Sequence, residues 1–187
     1  MFRWFRSALP PYQTPLAMLG AKAGQQVVFL DAADPGLAAE VARITGLNGR
    51  TLVAVRDTEA RRTVESAAAE AGALVELTDA GHATEREATS AYDLAVITAD
   101  WIELRSDQRR KLVDEAFRVA RPGGRIVLVL SAGKPAWPVR ARPVPRERAD
   151  EARSMLTGAG CRAVRVLGEV PGTTYVEGVK PRTTADT

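Results

Sequence analysis

The chain has 187 residues, 45% of them hydrophobic and 26% charged, which fits one globular domain with a buried core and excludes a disordered chain or two full domains. Its net charge is +3, with basic residues spread among nearly as many acids; with no recognition helix or aromatic-basic platform, nucleic-acid binding is not expected. One cysteine, Cys161, excludes an intrachain disulfide framework and a multi-thiolate metal site, and no apolar stretch approaches the roughly 18 residues of a bilayer span.

The opening Met1 to Arg6 mixes two Phe and one Trp with two Arg. That suits weak contact with a membrane surface, or a short arm packing on its own domain. An arm over 1–14, a domain over 15–180 and a disordered tail over 181–187 are therefore expected. No secretory leader pattern is read at the start, and a reducing, cytoplasmic setting fits the single cysteine.

The first strand is predicted at Gln26 to Asp31, a continuous apolar run ending in an acid. Continuous apolarity is what a strand buried on both faces shows. Asp34-Pro35-Gly36 opens a helix, with Asp34 as N-cap and Pro35 at its first position, and Gly46 stops it. Thr51 to Val55 is a strand, and Thr58 to Ala71 a helix closed by Gly72. Short strands are expected at Leu74 to Leu77 and at Tyr92 to Thr98. A helix over Ser106 to Val119 presents Leu112, Val113, Ala116 and Phe117 inward, and Arg121-Pro122-Gly123-Gly124 breaks it before a strand at Arg125 to Leu130.

Lys134 to Arg148 is a Pro- and Arg-rich connection, either a solvated crossover or an anion-attracting lid. A helix over Ala149 to Thr157 follows. Strands at Ala163 to Val170 and Thr173 to Val179 are separated only by Pro171-Gly172, too short for anything but an antiparallel hairpin. The expected fold is α/β, Rossmann-like and doubly wound. It has a mostly parallel seven-stranded sheet, a C-terminal antiparallel β-hairpin and helices on both faces.

Several segments carry a family likeness. Arg118 to Val129 (RVARPGGRIVLV) is similar to the RVLKPGGRLVLV segment of class I S-adenosylmethionine-dependent methyltransferases. Tyr92 to Val96 resembles their FDLVV, Glu76 to Ala80 the strand ending in GDA, and Gly158 to Arg165 the AGF segment before strand six. Leu16 to Gln26 resembles the lead-in to strand one in quinone-biosynthesis-type and small-molecule members. The resemblance implies S-adenosylmethionine as cofactor, a small-molecule acceptor and methyl transfer without a required metal.

It also implies a site beyond the carboxyl ends of the strands, where strand order reverses. Carried onto this chain, the cofactor-binding candidates are Asp31, Ala33, Gly36, Arg56, Asp57, Asp79, Ala80 and Thr98. Two departures stand out. Where the family has a glycine-rich turn after strand one, this chain has Ala32 and Ala33, and only Gly36 remains. Where the family has a carboxylate for the ribose hydroxyls, this chain has Arg56, with Asp57 one residue on. An Arg there also suits a 2′-phosphate, which leaves NADP open, although the G-x-G-x-x-G of such enzymes is missing. The departures leave a third reading, a methyltransferase-like binding or scaffold module without activity.

No catalytic motif is present. Asp100 is either a base or the cap of the next helix, and His82, the only histidine, is either a surface residue or a proton carrier. Trp101 and Trp137 either wall an apolar pocket or cover the sheet, and Cys161 reads as core. Oligomeric state is open.

Overall fold

Alternate residues of each central strand point to opposite faces, and the apolar run of β1 (Gln26–Asp31) supplies both. Val27 and Phe29 join one core, Val28 and Leu30 the other. The computed structural model describes residues 12–80, 89–98, 101, 103–132 and 143–182. Met1 to Arg6, His82, Asp100, Trp137 and most of the Lys134–Arg148 connection lie outside the described residues.

The remaining elements, in chain order, are α1 (Gln13–Leu19) ahead of β1, then α2 (Pro35–Thr45), β2 (Arg50–Val55), α3 (Thr58–Ala71), β3 (Glu76–Asp79), β4 (Tyr92–Ile97), α4 (Ser106–Val119), β5 (Ala120–Ser131), α5 (Arg146–Gly158), β6 (Arg162–Val170) and β7 (Thr173–Val179). The seven strands form one sheet in the order β3-β2-β1-β4-β5-β7-β6. Strands β1 to β5 pair in parallel, and β7 runs antiparallel to both β5 and β6. Successive strands β1, β2 and β3 step outward on one side, and β4 returns to the other side of β1. The reversal point is the β1/β4 boundary.

Helices cover both faces. Leu19 of α1, Leu37 and Val41 of α2 and Val64 of α3 pack on one. Val113 and Ala116 of α4 with Ala152 and Leu156 of α5 pack on the other. The helix ends follow the local signals: Asp34 accepts from Leu37 N–H at 3.1 Å, Asp57 from Ala60 N–H at 2.7 Å, and Gly72 takes the left-handed conformation past α3. No helix among the described residues is long and apolar enough to cross a membrane.

Two element boundaries need correction. Strand β3 covers 76–79 rather than 74–77, because its register is fixed by pairing with β2, Leu52 opposite Glu76 and Val55 opposite Asp79; Leu74 is left 76% exposed. Helix α5 begins at Arg146, three residues early. The hairpin adds its second strand inside its first, so the antiparallel β7 is the penultimate strand and β6 forms the edge. Helix α1 was not anticipated.

A buried carboxylate accompanies that inversion. Glu177 of β7 is 3% exposed and bonds Arg125 of β5 on one side and Arg165 of β6, at 3.0 Å, on the other. Arg125 also donates to the Leu19 carbonyl at 2.7 Å, tying the end of α1 to the sheet. Glu177→Ala leaves these guanidiniums without their shared carboxylate. Because Arg165 is largely exposed, the expected loss lies between surface and buried values, about 2–3 kcal/mol. Urea unfolding measures it, and a loss below about 0.5 kcal/mol would show that β7 holds its place without the charge cluster.

Candidate functional site

At the reversal point the loops after β1 and β4 diverge and leave a crevice between them. Thr98, the residue after β4, closes its floor. Its hydroxyl donates to the Asp31 carbonyl at 2.6 Å and accepts from the Ala33 N–H at 3.1 Å. Its own N–H bonds the same Asp31 carbonyl at 3.1 Å. The turn from β1 into α2 is therefore pinned by a side chain from the neighbouring strand.

That clip explains how the turn works without its glycines. Neither Ala32 nor Ala33 adopts a positive φ, so the backbone is one that alanine takes without strain. Gly36 has a different reason to be glycine. A Cβ there would lie 2.2 Å from the Tyr12 hydroxyl and 2.8 Å from its ring. Tyr12, just ahead of α1, lies in the space the missing side chain leaves and donates to Asp34 Oδ1 at 3.0 Å. Burial first, then the Asp34 charge, push the Tyr12 phenol up to about 12, so it remains a donor at neutral pH.

Two clefts flank Ala33. The smaller, about 250 Å³, lies over the ends of β1 and β2 and is lined by Asp31, Ala32, Ala33, Arg56, Asp57 and Ala60, with the tops of the strands beneath. The larger, about 500 Å³, lies over β4, β5 and β7. Its lining includes Pro15, Asp34, Pro35, Leu37, Thr98, Val129, Ser131, Thr173 and Tyr175. Taken together they fall within the scale of small-molecule sites, roughly 300–1,000 Å³.

The predicted residues divide accordingly. Asp31 is 8% exposed and does stand at the end of β1, but its carboxylate is already engaged. The Arg56 guanidinium, one residue past β2, donates to Asp31 Oδ2 from Nε at 2.9 Å and more closely from Nη2. Arg56 thus reaches across the mouth of the smaller cleft. Asp57 lines that cleft with one oxygen committed to capping α3. Asp79, at the end of β3, points outward, 74% exposed in its side chain and paired with Arg61 at 3.0 Å. Ala80 donates its N–H to the Val55 carbonyl at 2.8 Å. Neither Asp79 nor Ala80 lines a cleft described here.

Trp101 follows the covering alternative: it is 1% exposed, in the core against α4, with Arg109 over its ring. Cys161 is buried, and desolvation raises its thiol to about 11. Sequence reasoning missed Tyr12, Ser131, Thr173 and Tyr175. Tyr175 is one of several alternating residues in a hairpin strand, and nothing local says which face meets a cleft.

No protein-family model matches the chain, and no curated protein does. Solved structures do. A SAM dependent methyltransferase from Aquifex aeolicus is similar at TM-score 0.70 and 18% identity, over 90% of this chain and 89% of that one. A methyltransferase from Pyrococcus furiosus is similar at TM-score 0.68 and 13% identity, over 97% and 88%. A precorrin-6y C5,15-methyltransferase from Geobacter metallireducens is similar at TM-score 0.66 and 14% identity, over 89% and 86%. Similarity at this level establishes the fold.

The Tyr12–Gly36 contact gives a direct test. Gly36→Ala forces the phenol out of its seat, at an expected cost of about 1–3 kcal/mol. Adding Tyr12→Ala to Gly36→Ala should cost much less than the two single losses summed. Urea unfolding of the four proteins reads the coupling, and simple additivity would mean the two residues do not touch.

Proposed function

We propose that this chain, which has the fold of class I S-adenosylmethionine-dependent methyltransferases, binds S-adenosylmethionine at the carboxyl edge of β1 to β4 and methylates a small-molecule acceptor. The observation that supports this most is the pair of clefts meeting at Ala33, on the strand-order reversal where open α/β sheets take their ligands. When bound, the cofactor supplies a methyl group activated on a sulfonium.

The residues present fit such a group. The unstrained Ala32–Ala33 turn leaves room on both sides, and alanine adds only a methyl to the wall. Asp31 and Asp57 would hold the nucleoside part in the smaller cleft. Asp31 offers a carboxylate at the end of β1 once Arg56 swings aside, and Asp57 stands one residue past the position where the family has its ribose carboxylate. Thr98 and Asp34 would border the reacting end, with Thr98 holding the floor and Asp34 fixing the start of α2. Leu37, Val129 and Tyr175 give the larger cleft apolar surface against which an acceptor would pack. A reducing cytoplasmic setting accords with a lone, buried Cys161.

The Arg56–Asp31 pair favours a second reading, a methyltransferase-like module that no longer uses the cofactor. In that case the ion pair is the permanent occupant of the cleft.

Calorimetric titration with S-adenosylhomocysteine, with NADPH as comparison ligand, separates these. Micromolar binding is expected, weakened at least tenfold by Asp31→Ala. Arg56→Ala frees Asp31 and should tighten binding by up to about fivefold, the worth of an exposed ion pair. No heat from protein shown to be folded leaves the module reading in place, and tighter binding of NADPH would transfer the site to nicotinamide chemistry.

A further inference from the structure

The larger cleft contains a group that no local bond explains. Tyr175, on β7, is 2% exposed and lines the cleft, yet its hydroxyl has no hydrogen-bond partner among the described residues. Buried hydroxyls are normally satisfied within the protein, whereas this one reaches the open space of the cleft. A hydroxyl left free at a cleft is placed to bond something that enters it.

Its neighbours limit what that is. Thr98 has its hydroxyl committed to Asp31 and Ala33. Asp34 has Oδ1 committed to Leu37 and Tyr12, and it is the only charged side chain among the described lining residues. Ser131 and Thr173 add two neutral hydroxyl side chains, and Pro15, Pro35, Leu37 and Val129 supply apolar wall. An anion entering here meets a carboxylate and no described cation. A cation meets one carboxylate, whose Oδ1 already holds two donors in capping α2, against the loss of its hydration, and an ammonium has no lone pair for a phenol to donate to.

Resting on the methyltransferase reading, we propose that Tyr175 anchors the methyl acceptor, and that the acceptor is an uncharged molecule with an apolar body and an oxygen or nitrogen lone pair that the Tyr175 hydroxyl bonds. Burial, then the Asp34 charge, raise the Tyr175 phenol to about 12. At neutral pH it is therefore a donor that orients the acceptor, and it does not take the acceptor's proton.

Three probes of similar size and different charge test this: phenol, benzoate and benzylamine. Each is titrated into the protein by two-dimensional amide NMR at neutral pH, free and with S-adenosylhomocysteine present. Phenol is expected to shift the amides of Thr98, Thr173 and Tyr175 and to bind more tightly than the two charged probes. Tyr175→Phe, which keeps the ring, should weaken phenol about five- to tenfold with melting midpoint and S-adenosylhomocysteine affinity preserved. Tighter binding of benzoate or benzylamine overturns the acceptor class. Unchanged phenol affinity in Tyr175→Phe, or loss of S-adenosylhomocysteine affinity in that variant, overturns the anchoring role. Failure of S-adenosylhomocysteine to bind at all rejects the cofactor reading separately, since the phenol titration of the free protein still reports on the cleft.

Discussion

The site depends on the hydroxyl of Thr98. Strands β1 and β4 are neighbours, and among the described residues a single backbone bond from Thr98 N–H to the Asp31 carbonyl joins their ends, which leaves the turn beyond Asp31 unheld by backbone from β4. One side chain holds it, bonding the last carbonyl of β1 and the N–H two residues beyond. With the turn fixed from outside, residues 32 and 33 need no left-handed backbone, and alanine serves where glycine would otherwise be expected. Both clefts share Ala33, so the position of this turn sets the shape of each.

Two internal contacts then occupy ground that a ligand would want. Arg56 holds Asp31, and Tyr12 fills the space above Gly36. Their weights differ. The Arg56 side chain is 53% exposed, and a pair of that kind contributes about 0–1 kcal/mol. Micromolar binding corresponds to about 8 kcal/mol, so the pair lowers affinity without forbidding a ligand. Tyr12 is a packed ring with a hydrogen bond to the α2 cap, harder to displace, and Pro15, three residues on, lines the larger cleft. The chain's own N-terminal segment has thereby become part of the site wall.

The far half of the sheet solves a different problem. A hairpin placed after β5 has two ways to add to the edge, and here the later strand goes inside. This brings Glu177 between Arg125 and Arg165, where one buried carboxylate serves two strands, and it carries Thr173 and Tyr175 to the carboxyl edge beside Ser131. The same choice of strand order that buries the charge also builds the outer wall of the larger cleft.

The elements were legible because their signals are local. Continuous apolar runs marked β1, β2 and β4 as buried on both faces, and Asp34, Asp57, Gly46 and Gly72 marked helix ends through hydrogen bonds made within a few residues. The doubly wound order followed from alternating strands and helices, and Asp31 was read as the end of β1, where the structure has it. The partners were not legible. Which cation meets Asp31, what fills the space at Gly36, where β3 starts and which face of β7 carries Tyr175 are all set by strand order and register. Those depend on distances between residues far apart in the chain, such as the 25 positions between Arg56 and Asp31. The sequence by itself determined the fold and the edge where the two clefts lie, since periodicity and capping act over one turn or one strand. Only the tertiary structure decided which side chains face the clefts and which of them are already taken, because that is a matter of packing across the sheet.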